Sequence, residues 1–226
     1  MGQSTSRSDA ERLDRDDPLK SLRDRFDLPA GVVYLDGNSL GALPKHVAER
    51  VHRVVTEEWG RDLITSWNLH GWMDLPSRVG GRIAPLIGAK PGEVVCADST
   101  SINVFKLLAA ALKLNPGRSI VLSDSGNFPT DLYVAQGLGE LLGGTARLRV
   151  VDEERLVDSI DENTAVVMAT HVNYRTGRRH DMQAVTRRAR EQGALMLWDL
   201  AHSAGAMPIE LDAVGADFAV GCGYKY

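Results

Sequence analysis

Lys225, which follows Gly221-Cys222-Gly223-Tyr224, is the side chain here with the most pointed chemical use. An ε-amine in an apolar cleft shared with another cation titrates below its usual range and can condense with a carbonyl as a Schiff base. The small residues before it permit close backbone approach; the competing reading is a solvated lysine. Asp199, within Trp198-Asp199-Leu200-Ala201-His202, ends an apolar run. A carboxylate buried there needs a cation, and a protonated pyridinium nitrogen on an electron-accepting ring is one such partner. The alternative is an N-cap for the next short helix. Asp98-Ser99-Thr100-Ser101 leads into a helical pattern, so its hydroxyls and free N–H groups can bind a phosphate or serve as an ordinary cap. Phe128 can stack on a planar ring or fill the core.

These residues need elements that carry them to one place. Six short apolar runs read as strands: Glu93 to Ala97, Ser119 to Ser123, Ala146 to Val151, Ala165 to Thr170, Ala194 to Asp199 and Phe218 to Gly221. Helical patterns lie between them at Ile102 to Leu114, Thr130 to Leu141, Glu153 to Ile160 and Met182 to Gln192. An earlier amphipathic helix is expected over Lys45 to Trp59, with Val47, Val51, Val54 and Val55 at helical spacing. Strands alternating with helices imply an α/β fold with a mostly parallel sheet and helices on both faces. Ligands of such sheets sit outside the strands' carboxyl ends. There the sequence places Asp98 to Ser101, Asn127 to Asp131, Thr170 to Asn173, Asp199 to His202 and Gly223 to Tyr226.

Composition excludes several classes. With 226 residues, 43% hydrophobic and 25% charged, the chain can bury a core without disulfides or metal. Its 26 Lys and Arg against 30 Asp and Glu leave a net charge of -4, which offers no basic surplus for nucleic acid. No apolar run is long enough for a signal peptide or a membrane span. Cys96 and Cys222 are isolated, which argues for reduced thiols in the cytoplasm and against a metal site. Met1 to Ser6 fits the loose N-myristoylation pattern, and the polar segment up to Asp17 has the character of a frayed terminus. We expect an N-terminal arm over 1–30, disordered at first, and the main domain over 31–226.

In order along the chain, the hydroxyls, the aromatic residue, the Asp-x-x-His and the Tyr-Lys resemble the fold-type I family of pyridoxal-phosphate enzymes. Longer strings resemble its kynureninase branch: Tyr34-Leu35-Asp36-Gly37-Asn38-Ser39-Leu40-Gly41-Ala42-Leu43-Pro44, Ser66-Trp67-Asn68 with Gly71-Trp72, Asn127-Phe128-Pro129-Thr130-Asp131, Asp199 through Gly205, and Gly223-Tyr224-Lys225-Tyr226. The Asp-Leu-Ala-His-Ser-Ala-Gly string is shared with cysteine desulfurases and related lyases. The Gly-Asn-Ser-Leu-Gly and Phe-Pro-Thr-Asp strings separate the branch from them. The resemblance runs from about Leu19 to Tyr226.

The resemblance implies an aspartate aminotransferase-like large domain binding pyridoxal 5'-phosphate. Thr100, Ser101 and Tyr224 would contact the phosphate, Phe128 would stack on the ring and Asp131 would support its polar edge. Thr170, Asp199 and His202 would follow the ring and its nitrogen, and Lys225 would carry the Schiff base. Lys225, Tyr224 and Asp199 would be catalytic, whereas Ser39, Trp67 and Trp72 would lie near the substrate's aryl end. The implied reaction is hydrolysis of L-kynurenine, or its 3-hydroxy form, to an anthranilate and L-alanine. That step belongs to tryptophan catabolism and NAD biosynthesis, in a cytoplasmic homodimer. Chains of this family continue past the lysine into a smaller domain, so the sequence reads as an amino-terminal part, inactive alone. The alternatives are a desulfurase-like lyase and a catalytically silent fragment of the same fold.

Overall fold

The computed structural model describes residues 6–226, so most of the N-myristoylation pattern lies outside the described residues. The chain divides into two compact units, residues 1–70 and 71–226. In the first unit the polar segment, expected to be frayed, forms helix α1 (Arg7–Asp16), closed by a reciprocal capping box between Ser6 and Asp9. It buries no residue. Two-residue strands β1 (Phe26–Asp27) and β2 (Leu43–Pro44) pair antiparallel. Helix α2 (Lys45–Arg53) is shorter than the amphipathic helix expected over Lys45 to Trp59 and gives way to a wider turn at Val54–Trp59. Its valines do not form a core within the unit, since Val51 stays 54% and Val55 48% exposed. The helix is anchored by an Arg50–Glu58 ion pair, and Ser66, which opens the short helix α3 (Ser66–Leu69), donates to the Glu58 carbonyl.

The second unit holds a five-stranded, all-parallel sheet. Its strands are β3 (Ile120–Asp124), β4 (Arg147–Val151), β5 (Thr164–Thr170), β6 (Leu195–Asp199) and β7 (Phe218–Val220), in the spatial order β4-β3-β5-β6-β7. Successive residues point to opposite faces, and both faces are apolar. Leu122, Val167, Ala169, Met196 and Trp198 pack into one cluster, and Val121, Val166, Met168, Leu197 and Val220 into the other. Helices α5 (Thr100–Leu114) and α6 (Pro129–Leu141) contribute Val104, Leu108, Ala135 and Leu138 to the second cluster. Helix α7 (Met182–Glu191) supplies Met182, Val185 and Ala189 to the first, which the short α8 (Leu211–Val214) also joins through Leu211.

Local signals set these helix starts. Ser99 accepts the Ile102 N–H and Asp181 the Ala184 N–H as N-caps, while Pro129 occupies the first turn of α6, where no N–H is needed.

Two further expected elements are corrected. Glu93 to Ala97 is not a strand: Val94 lies against α4 (Leu75–Ile83) and Cys96 donates its N–H to the Pro76 carbonyl at 3.1 Å. That contact is close enough for a Cβ on Gly80 to fall 1.9 Å from the Val94 oxygen. Val95 is 62% exposed, so the run has no second apolar neighbour to bury it. Glu153 to Ile160 is not one helix but two single 3₁₀ turns, Glu153–Arg155 and Val157–Ser159, which bury Leu156 and Ile160. The apolar spacing was right and the hydrogen bonding tighter.

Candidate active site

The carboxyl ends of β5 and β6 meet in register, Thr170 opposite Asp199. Asp199 is 3% exposed; one carboxylate oxygen accepts the Ala201 N–H at 2.8 Å and the other lies 3.3 Å from the Thr170 hydroxyl. Burial pushes its carboxyl above the ordinary carboxylate range, opposed by those two bonds and the Lys225 charge. The chain turns after β7 so that Lys225, also buried, sets Nζ 2.6 Å from His202 Nε2. Which of the two atoms donates depends on the His202 tautomer, and so does the role of the other ring nitrogen, Nδ1. That Nδ1 is buried and has no hydrogen-bond partner. Burial, then the Lys225 charge, holds His202 below its usual range.

Asp131, in the first turn of α6, is 2% exposed, and its Oδ2 has no hydrogen-bond partner. Burial, reinforced by Asp199, pushes it up to about 7. Phe128, the α6 cap residue, meets Tyr174 edge-on at 5.3 Å and His202 at 6.4 Å. Tyr174 in turn faces His202 at 6.2 Å with 29° between the rings. At the start of α5 Ser99 takes the capping role, and the Thr100 hydroxyl donates to the Gly221 carbonyl at 3.1 Å, tying that helix end to the segment carrying Lys225. Ser101 follows in the same turn, and Tyr224 stays 57% exposed, its ring 5.8 Å from Lys225 Nζ.

The structure thus gathers Phe128, Asp131, Thr170, Asp199, His202 and Lys225 at the sheet's carboxyl rim, with Thr100 linked to the same segment. Ser39, exposed in a turn, and Trp67, in α3, belong to the first unit, whereas the half-buried Trp72 lies just ahead of α4 in the second. Sequence reasoning gave no role to Asn127 or Tyr174. The strand-end rule placed Asn127 at the rim without assigning it a part in the site; Tyr174 is delivered by a turn that carries no such signal.

Two buried carboxylates, an imidazole, an amine and an aromatic side chain at the carboxyl rim of a parallel sheet are the set of groups that a pyridoxal-phosphate enzyme of the α/β class uses. Residues 33–226 match the family model for aminotransferase class-V. The chain belongs to the aminotransferase class-V family. It is 57% identical to a kynureninase of Burkholderia pseudomallei (strain 1106a), over 98% of this chain and 54% of that protein. It is 55% identical to a kynureninase of Pseudomonas fluorescens, over 98% of this chain and 55% of that protein. The chain therefore spans about half the length of the curated relatives it matches. Among solved structures, C-DES with glycine covalently linked to its PLP cofactor superposes with a TM-score of 0.75 at 15% identity, over 90% of this chain and 55% of that one. The cysteine desulfurase from Thermococcus onnurineus NA1 does so with a TM-score of 0.65 at 23% identity, over 95% and 53%. At these identities the two share the fold.

Pyridoxal 5'-phosphate is the cofactor of this family, and the residues present fit it. A ring nitrogen that can carry a proton offers buried Asp199 a cation; Asp131 Oδ2 and His202 Nδ1 are among the buried polar atoms without a hydrogen-bond partner, and Lys225 is the amine that binds an aldehyde.

Proposed function

We propose that this chain forms the cofactor-holding part of a kynureninase, which hydrolyses L-kynurenine or its 3-hydroxy form to an anthranilate and L-alanine. The observation that carries this reading is 55–57% identity to kynureninases across 98% of the chain. In this reading Thr100, Ser101 and Tyr224 hold the cofactor phosphate, Phe128 covers the ring, and Asp131, Thr170 and His202 line its edge. When bound, the cofactor supplies an electron-accepting ring for the pair released at the substrate's α-carbon. Asp199 holds the ring nitrogen protonated. Lys225 would hold the aldehyde carbon and, as a free amine, would take the substrate's α-proton. Tyr224 donates a proton during the later cleavage of the bond between the β- and γ-carbons, and Ser39, Trp67 and Trp72 contact the aryl end.

The family homodimer, the cytoplasmic setting and the place in tryptophan catabolism and NAD biosynthesis belong to the same proposal. So does the domain division at about residue 30. Turnover is assigned to the chain together with the region its relatives carry in addition.

Borohydride treatment of the cofactor-loaded chain should leave a phosphopyridoxyl mass on the peptide containing Lys225, and Lys225→Ala should abolish it. Co-expression with the remaining part of the Pseudomonas fluorescens relative should release fluorescent anthranilate from L-kynurenine. A label on another lysine removes the Lys225 assignment, and sulfide from L-cysteine with no anthranilate would replace this reading by a desulfurase.

A further inference from the structure

Behind Asp199 lies a chain of buried polar groups that the reaction as described does not use. Ser123, Asn127 and Thr170 are each at most 3% exposed. We propose that Asn127 is a positioning residue of this site: its side-chain carbonyl fixes the backbone of Phe128 and competes with Asp199 for the single hydroxyl proton of Thr170. The proposal rests on the reading of the site given above and adds a residue to it.

The direction of every bond follows from counting donors. Ser123 Oγ donates to the Met168 carbonyl at 2.7 Å, so toward Asn127 it can only accept. Asn127 Nδ2 supplies that bond at 2.8 Å and also points at the Met168 carbonyl at 3.4 Å. The amide orientation is then settled, with Oδ1 on the other side, where the Phe128 N–H donates to it at 2.7 Å. Thr170 Oγ reaches the same Oδ1 and lies 3.3 Å from Asp199 Oδ2. A hydroxyl has one proton. While it goes to Asn127, Thr170 turns lone pairs toward Asp199 and disfavours the charged carboxylate unless a cation faces it; turned the other way, it supports the charge.

Asn127 thus joins the residue placed over the ring to the residue placed at its nitrogen. The other charged or titratable groups near Asp199 are Asp131 on α6, His171 after β5, His202 after β6, and Lys225 and Tyr224 beyond β7. None of them touches Asn127 in a hydrogen bond, so substituting Asn127 alters the Thr170 contribution while leaving theirs in place.

The test is a carbon-13 titration of the Asp199 carboxyl in the cofactor-free chain, assigned by comparison with Asp199→Asn, in a double-mutant cycle. Asn127→Leu should lower the Asp199 midpoint by about one pH unit, a tenfold change, because the Thr170 proton is released to the carboxylate. In a Thr170→Val background the same substitution should produce no further shift. An equal shift in both backgrounds, or none in either, overturns the proposal. Should Asn127→Leu not fold, Asn127→Ala is carried through the same cycle: a lowered midpoint that disappears in the Thr170→Val background supports the coupling, and an equal shift in both backgrounds, or none in either, refutes it. No cofactor is present in this titration, so failure of the functional reading would show separately, as a missing label on Lys225.

Discussion

Asp131 offers a test of the site's electrostatics that needs no substrate. Its carboxyl is 2% exposed with one oxygen unmatched, and burial with the neighbouring Asp199 pushes it up to about 7, from 3.8. The folded chain therefore keeps a proton that the unfolded chain has lost between about pH 4 and 7, so this group makes stability fall as pH rises through that window. A rise of roughly three units at about 1.4 kcal/mol each gives about 4 kcal/mol of destabilisation, complete above pH 7. The position in the first turn of α6 favours a negative charge by only about 0.3–1 kcal/mol, too little to reverse the sign. Asp131→Asn keeps the shape and removes the charge, so at pH 8 the cofactor-free variant should be more stable by about 2–4 kcal/mol, with the advantage vanishing near pH 4. Burial holds His171 down at about 4, from 6.5, and lowers His202 as well. These imidazoles make stability rise with pH over part of the same range. The decisive quantity is accordingly the difference between the wild-type and variant curves, from urea unfolding at pH 4 to 8. Parallel curves, or a variant less stable at pH 8, would refute the account.

Other substitutions probe the packing that holds the rim. Gly80→Ala places a methyl 1.9 Å from the Val94 carbonyl oxygen, whereas Gly81→Ala meets nothing within 4 Å. In urea melts the first should cost about 1–3 kcal/mol and the second should be neutral or gain up to about 1 kcal/mol from helix propensity; equal effects would contradict the close approach of α4. Trp198 Nε1 donates to Thr186 Oγ1 at 3.0 Å with both side chains buried. Thr186→Val should cost about 1–3 kcal/mol by stranding the indole N–H, and Thr186→Ser should restore most of it; a Ser variant as unstable as Val would point to packing instead.

The five parallel strands could be read from sequence because each carries apolar residues on both faces, a pattern only a covered sheet explains. The failures share a cause as well. Glu93 to Ala97 has a strand's composition, but its Val94 carbonyl lies against Gly80 of α4 and its Cys96 N–H is taken by the Pro76 carbonyl, a tertiary contact invisible in a window of five residues. At the site, the strand-end rule reached Thr170 and Asp199, which close apolar runs, and Phe128 in the polar stretch that follows β3. It stopped short of Tyr174, which reaches Phe128 and His202 only because Asn173 organises the turn, accepting the N–H groups of Arg175 and Thr176 and donating to the Gly126 carbonyl. Asn127 was legible as a polar residue at the rim but not as the one whose amide must face a particular way. That orientation follows from Ser123 and Met168, one on β3 and the other on β5, and their adjacency exists only once the sheet has formed. Residue types and strand ends therefore identify which groups face the ligand, while the direction of each proton among them is a property of the assembled sheet.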